Sequence, residues 1–213
     1  MAFRALDLFC GGGGASAGLH RAGFEVTGVD NEPQPEYPFA FVLADAFSVW
    51  VENYDLVWAS PPCQAHSSLR HLHPDEEYPD LIGRTREMLK AWGGPYIIEN
   101  VPGAPLRLPV QLCGSAFGLG VRRHRHFESN LLLAGVGCCH DIQRQPIDVS
   151  GTGARRKGPR KDDGGGNSRK PRNLVEAQVA MGINWLPRKA LSQAVPPAYA
   201  EFLGRQVVMA LKA

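Results

Sequence analysis

Two segments of the chain carry residues able to run covalent chemistry on a ring. In Ser60-Pro61-Pro62-Cys63-Gln64 a cysteine follows two prolines at the end of a short apolar run, DLVWA at 55–59. Proline fixes φ and stiffens the turn, so the sulfur is aimed rather than loosely held. A lone cysteine is most often a small core residue. One set on a proline hinge at a strand end, beside a ligand crevice, reads as a nucleophile. Glu99-Asn100-Val101 ends the next apolar run, YIIE at 96–99, in the same manner. Its carboxyl is expected to face the same crevice as Cys63. A thiolate with a carboxylic acid suits covalent addition to a heteroaromatic ring.

A second group of residues has the composition of a cofactor site. Asp7-Leu8-Phe9-Cys10-Gly11-Gly12-Gly13-Gly14 lies between a β-prone run and a helix-prone one. Glycines there let the backbone approach a ligand and adopt positive φ. Asp30 follows about 20 residues on, where a carboxylate can hold a ribose hydroxyl pair. Asp45 closes a further apolar run and could meet an adenine amino group. The loop lacks a clean G-x-G-x-x-G, because Ala15 and Ser16 follow the glycines. On these residues alone NAD, FAD and S-adenosylmethionine all remain open.

The elements that must position these groups alternate. Strands are expected at 3–9, 24–29, 39–43, 55–59 and 96–99, and helices at 15–22, 81–92 and 196–212. Pro196 stands at the start of the last helix and Gly23 at the end of the first, as helix punctuation requires. Alternating strands and helices with short links predict an α/β fold with a mostly parallel sheet covered on both faces. The reactive-looking residues fall at strand C-termini, where open α/β sheets bind ligands.

Length and charge set the outer bounds. The 213 residues suffice for one main domain with a small insert. No apolar run approaches the roughly 20 residues that cross a bilayer, so no membrane partner is expected. The start, MAFRALDLFCGGGG, does not have the pattern of a signal peptide. Five cysteines (Cys10, Cys63, Cys113, Cys138 and Cys139) without even spacing argue for a reducing cytoplasm rather than a disulfide framework. The net charge of +2 is unevenly spread: 151–172 holds eight Lys/Arg, two Asp and six glycines, a net +6, against −4 in the remainder. Such a segment cannot bury a core. It reads as a solvated linker or, beside the catalytic motifs, as an arm that tracks phosphates.

In this order, the motifs resemble those of the cytosine-5 DNA methyltransferases. The matching segments are DLFCGGGG (7–14), VDNEP (29–33), SPPCQAHSS (60–68), ENVPG (99–103), RRHR (122–125) and QAVPP (193–197). They span nearly the whole chain, and the PPCQ and ENV pair is the specific part. The resemblance implies a Rossmann-like, S-adenosylmethionine-dependent methyltransferase fold with a very small recognition insert. It also implies that Cys63 attacks carbon 6 of a cytosine flipped out of double-stranded DNA, that Glu99 protonates the ring nitrogen at position 3, and that Arg123 and Arg125 bind the base carbonyl and flanking phosphates. The cofactor contacts it implies are Asp7, Phe9, Gly11, Gly13, Asp30, Asn31, Asp45, Ala46, Pro61, Gln193 and Val195. Nucleic-acid contacts are expected from Gln64, Ser67 and Arg70 after the nucleophile, and from Arg155, Arg156 and Lys157 in the basic arm.

Departures from the family pattern concern recognition. Val121 stands where the family has Gln, and Ser192-Gln193 where it has Gly-Asn. Between the Arg pair and the final motifs the family carries a recognition domain, and here only about 44 residues are available. The expected organisation is a cofactor-binding and catalytic domain at 1–127, a reduced recognition insert at 128–172, and a return segment at 173–213, acting as a monomer. Residues 128–141 offer one strand or hairpin, with Glu128, Ser129, Asn130, His140 and Asp141 as base-reading side chains, enough for a site of about two base pairs. Alternative readings are methylation of tRNA or of a free cytosine nucleotide, or a non-catalytic relative that only holds nucleic acid. No metal is expected: Cys138-Cys139-His140 could be grouped with Cys113 or His126, but adjacent cysteines lack the C-x₂₋₄-C spacing of zinc sites. His66, His71 and His73 are read as phosphate or solvent contacts, and Trp50, Trp58, Trp92 and Trp185 as core or core-edge residues.

Overall fold

The computed structural model describes residues 2–63, 66, 79–149 and 168–213. Gln64, Ser67, Arg70, Arg155, Arg156 and Lys157 lie outside the described residues, as does most of the basic arm.

The core is a seven-stranded sheet in the order β3-β2-β1-β4-β5-β7-β6. Its strands are β1 (Phe3–Leu8), β2 (Phe24–Asp30), β3 (Ala40–Leu43), β4 (Leu56–Ala59), β5 (Tyr96–Asn100), β6 (Val110–Leu112) and β7 (Arg125–Ser129). β1 to β5 pair in parallel, and β7 runs antiparallel to both β5 and β6. The helices are α1 (Gly14–Arg21), α2 (Ile82–Trp92), α3 (Leu174–Met181), α4 (Arg188–Gln193) and α5 (Pro197–Leu211). The expected α/β architecture is observed, with the first five strands within a residue or two of their expected ends.

Alternation along the central strands divides the core between two faces. Ala5, Val26, Leu56, Trp58 and Ile97 meet Leu19 of α1 and Tyr199, Leu203 and Val207 of α5. Leu6, Leu8, Val29, Val57, Ala59 and Ile98 meet Leu89 of α2 on the other face. A third cluster, Val121, Ala177, Ala180, Met181, Leu186 and Leu191, joins α3 and α4 to the segment before β7. Of the four tryptophans read as core or core-edge residues, Trp58 is fully buried, whereas Trp50 is 79% exposed. Trp50 follows the edge strand β3, and no second layer covers it there. Among the described residues no helix is long and apolar enough to cross a membrane.

The insert differs from expectation. Its strand is β7, at 125–129, so the 127/128 boundary falls inside a strand; among the described residues of 130–149 there is no further strand, only an isolated bridge from Ile147 to Arg169. Glu128 is no base reader. It is buried and takes hydrogen bonds from Arg86 Nε at 2.6 Å, Arg86 Nη2 at 2.8 Å and the Arg107 N–H at 2.7 Å. Burial alone would push its carboxyl up, but these donors outweigh it and hold the group below its ordinary value. Ser129 and Asn130 are likewise used internally: Ser129 Oγ donates to the Tyr96 carbonyl, and the Asn130 amide bridges the Tyr96 N–H and the Gly94 carbonyl.

Removing one partner of a buried pair leaves the other charge uncompensated, at a cost of about 3–5 kcal/mol. Glu128→Ala should therefore lower the urea-denaturation free energy by about that amount. A loss below about 1 kcal/mol, the usual worth of a surface pair, would show that Arg86 finds other partners.

Candidate active site

The C-terminal ends of β1, β2, β4 and β5 meet along one edge of the sheet. Because β2 and β4 flank β1 on opposite sides, the direction in which successive strands are added reverses there, the point outside the strand ends where open α/β sheets form a ligand crevice. The glycine loop leaves β1 into this crevice, and the Cys63 turn leaves β4 beside it.

The loop's glycines have two different causes. Gly11 has φ +48° and open space where a Cβ would stand, so its backbone can face a ligand. Gly13, at φ +80°, is crowded by the Tyr37 ring. A Cβ on Gly12 would strike Leu186, and one on Gly14 would strike the Val195 carbonyl oxygen. Trp185 Nε1 donates to the Gly12 carbonyl at 2.9 Å. The chain's own C-terminal return thus demands two of the four glycines, a role the sequence reading did not give to Trp185 or Leu186.

Around the open face of the loop stand the other expected cofactor residues. Phe9 adopts φ +58°, a left-handed conformation rare for a non-glycine residue. Its ring meets Phe47 edge-on at 5.9 Å, and the Arg84 guanidinium covers Phe47 at 3.8 Å. Asp30 Oδ2 accepts from the Gly11 N–H at 2.9 Å, tying the end of β2 to the loop. Asp45 Oδ1 accepts from the Phe47 N–H at 2.9 Å, next to the buried Ala46. Asn31 and Gln193 are exposed, and Pro61 and Val195 are buried.

Asp7, also among the expected cofactor residues, has the most unusual surroundings of the group. It is fully buried; its Oδ2 accepts from Ser16 Oγ, while Oδ1 has no partner. Burial pushes its carboxyl up to about 7, against the Ser16 hydrogen bonds and with help from the charges of Asp30 and Glu99.

At the ends of β4 and β5 the structure brings the four expected catalytic residues together. Asn100 Nδ2 donates to the Pro61 carbonyl at 2.9 Å, and its Oδ1 accepts from the Val101 N–H at 2.9 Å. The amide thereby pins the Pro61-Pro62-Cys63 turn to β5, a positioning role that its place after Glu99 could have suggested. Glu99 is buried, with Arg125 Nε 2.9 Å from its Oε1, although the N–H is not aimed at that oxygen and leaves it without a hydrogen bond. Burial pushes the Glu99 carboxyl up, opposed by Arg125, Arg123 and the Ser60 hydroxyl. Burial also pushes the Cys63 thiol up; Arg125 and Arg123 pull it down, and Glu99 adds to the rise.

Arg125 opens β7, and Arg123 is held from outside the sheet. Arg123 has φ +41°. Its Nη2 donates to the Ser192 carbonyl at 2.7 Å, while its buried Nε has no partner. Burial and the neighbouring Arg125 lower it to about 9. The Tyr199 hydroxyl, on α5, shares its proton between the carbonyls of Arg122 (3.0 Å) and Arg123 (2.9 Å). Left-handed non-glycine backbone costs on the order of 1–3 kcal/mol and gathers at functional sites.

Sheet order, reversed seventh strand and flanking helices together make a Rossmann-like fold of the S-adenosylmethionine-dependent methyltransferase class. Solved structures with this fold include a prophage-encoded E. coli protein described as a DNA modification methyltransferase (TM-score 0.63, 14% identity, covering 100% of both chains). The methyltransferase EhMeth of Entamoeba histolytica is similar at TM-score 0.59 and 13% identity, again over 100% of both chains. The Dnmt2 methyltransferase of S. pombe is similar at TM-score 0.58 and 12% identity over 99% of each. No protein-family model matches the chain, and no curated protein matches it in sequence.

Asp7 makes stability depend on pH. Its carboxyl is raised from 3.8 to about 7 on folding, so the folded state binds the proton more tightly than the unfolded chain does. That contribution is fully present below pH 3.8 and is lost as pH rises through about 7. Asp7→Asn carries no such charge. The melting temperatures of variant and wild type should lie close near pH 4 and diverge upward, the variant ending several degrees higher above pH 7, at about 2–4 °C per kcal/mol. A pH-independent gap would mean that Asp7 does not titrate in this range.

Proposed function

We propose that this protein transfers the methyl group of S-adenosylmethionine to carbon 5 of cytosine in DNA. The observation that carries the reading is the convergence of Cys63, the unsatisfied Glu99 Oε1, Arg123 and Arg125 at the ends of adjacent strands. Nothing in folding calls for a buried carboxyl, two guanidinia and a thiol together. The open backbone at Gly11, the Phe9–Phe47 pair, Asp30 and Asp45 would hold the adenosine part of the cofactor. When bound, the cofactor supplies an electrophilic methyl group.

The chain's own residues would act in sequence on the base. The thiol proton of Cys63 passes to water, and the sulfur bonds to carbon 6. Glu99, whose carboxyl burial pushes toward the protonated form, hydrogen-bonds and, when it carries its proton, protonates nitrogen 3, so the electrons displaced from the 5,6 double bond collect toward carbon 5. Arg123 and Arg125 lower the energy of the thiolate and bind the carbonyl oxygen. After carbon 5 is methylated, its proton leaves to a base, the bond between sulfur and carbon 6 breaks, and nitrogen 3 returns its proton to Glu99. The base must be out of the duplex for its carbon 6 face to be reached.

Recognition by few groups follows from the fold. With Glu128, Ser129 and Asn130 engaged inside the protein, the short insert has still fewer free side chains for base edges, and each base pair takes one or two. The target is therefore a short site, about a dinucleotide, with the basic segment 151–172 contacting phosphates, which position without specifying.

Duplex DNA carrying 5-fluorocytosine should trap the wild-type protein covalently in the presence of cofactor, because fluorine cannot leave as the proton does. Cys63→Ala should give no adduct and no transfer while retaining cofactor binding by calorimetry. Glu99→Gln should slow single-turnover methylation by about 10²–10⁴, the usual worth of general-acid help. Parallel arms with tRNA and dCMP identify the substrate. Transfer to either of those with none to duplex DNA, or an active protein that leaves no shifted band, would overturn the reading.

A further inference from the structure

A second cluster of reactive side chains lies outside the crevice. Cys113, His124, Cys138 and His140 each place one ligand atom so that all four atoms lie within 4.8 Å of one another. Cys113 Sγ is 3.2 Å from His140 Nε2, and His124 Nε2 is 3.4 Å from Cys138 Sγ. The two imidazoles meet at 71° with centroids 5.1 Å apart, so they do not stack. Around tetrahedral Zn²⁺, bonds of about 2.0–2.3 Å put neighbouring N and S ligands roughly 3.3–3.8 Å apart. The two N–S pairs lie within a few tenths of an ångström of that arrangement, and the four ligand atoms together, all within 4.8 Å of one another, would close by up to about 1 Å around the ion.

The surroundings suit thiolates. The Cys139 N–H donates to Ser115 Oγ at 3.0 Å. That satisfies the Ser115 oxygen as acceptor and leaves its proton to point at Cys113 Sγ, 3.1 Å away. Gln111 Oε1 lies 3.1 Å from His126 Nε2, which orients its amide nitrogen toward Cys138 Sγ at 3.9 Å. Donors of this kind orient and stabilise thiolate ligands from outside the metal's own shell. Cys113 is buried, His124 and His140 are half-buried, and Cys138 is exposed, so the cluster has a solvent side by which an ion can enter. All five cysteines are free.

We propose that Cys113, His124, Cys138 and His140 bind one structural Zn²⁺ ion. Two thiolates and two imidazoles form a closed donor set of the kind zinc favours, with no position left for substrate. Cys113 follows β6, His124 precedes β7, and Cys138 and His140 belong to the strandless stretch after β7. The ion would clip that stretch to the sheet edge. It would also fix the peptide between Arg123 and Arg125, since His124 stands between them and its carbonyl accepts from Arg125 Nη1 at 2.8 Å. A cross-link of this kind supplies order that 130–149 cannot draw from secondary structure.

The test reads the metal directly and needs no methyl-transfer assay. Chain grown with zinc in the medium and freed of any tag should retain about one zinc per chain by elemental mass spectrometry. Zinc-stripped protein titrated with Co²⁺ should develop the intense visible bands of a tetrahedral site together with a thiolate-to-cobalt charge-transfer band. Cys113→Ser, His124→Asn, Cys138→Ser and His140→Asn should each abolish or displace that spectrum, whereas Cys139→Ser should leave it. Ser115→Ala should weaken Co²⁺ binding by about 10–100-fold. Wild-type protein with no retained zinc and no tetrahedral cobalt spectrum overturns the proposal, as does a non-reduced intact mass showing Cys113 and Cys138 joined as a disulfide. Loss of the spectrum in Cys139→Ser equal to that in Cys138→Ser would overturn the ligand set.

Discussion

A carboxylate with one unsatisfied oxygen, buried at the end of β5, is the constraint around which the rest of the site is arranged. Glu99 out of water is tolerable only with positive charge and hydrogen-bond donors beside it. β7 provides the charge. Its antiparallel pairing sets Glu99 opposite Phe127 and Asn100 opposite His126, which brings Arg125 back to the carboxyl. A parallel strand there would run its N-terminal residues to the far edge of the sheet. The reversed strand is therefore an electrostatic requirement of the site as well as a way to finish the sheet.

The C-terminal return serves the same site from behind. Tyr199 on α5 grips the carbonyls before β7, the Ser192 carbonyl takes Arg123, and Leu186, Val195 and Trp185 close on the glycine loop. One segment thus contacts both the arginines and the loop. A shift of α5 against α1 would be felt both at the glycine loop and at the arginines, through packed side chains rather than through a long-range field.

The parts legible in the sequence are those with a local cause. The strands β1, β2, β4 and β5 announce themselves as apolar runs stopped by Gly, Pro or Asp, and their ends carry Cys63, Glu99, Asp30 and the glycines. β7 reads Arg-His-Phe-Glu-Ser and does not look like a strand, because its burial rests on Arg86, 42 residues away in the chain. β6 is only three residues long, and α4 only six. The glycine run was readable as a ligand loop, but its division between ligand and chain depends on where Leu186 and Val195 return. The Cys/His cluster was not legible for a related reason. Its residues come from three separated stretches, and zinc spacing rules read only residues that share a local loop.

The same distinction bears on how so short an insert is ordered at all. A recognition domain needs a core before it can present side chains, and 130–149 has no strand or helix from which to build one. Its fixed points are borrowed instead: Asn130 from the end of α2, Ala134 from Gln206 on α5, and Cys138 and His140 from the β6–β7 edge. Each anchor uses a polar group that a larger insert could have turned outward. The segment is ordered by turning inward polar groups that would otherwise face solvent. If the protein methylates DNA as proposed, limited sequence discrimination follows physically from small size.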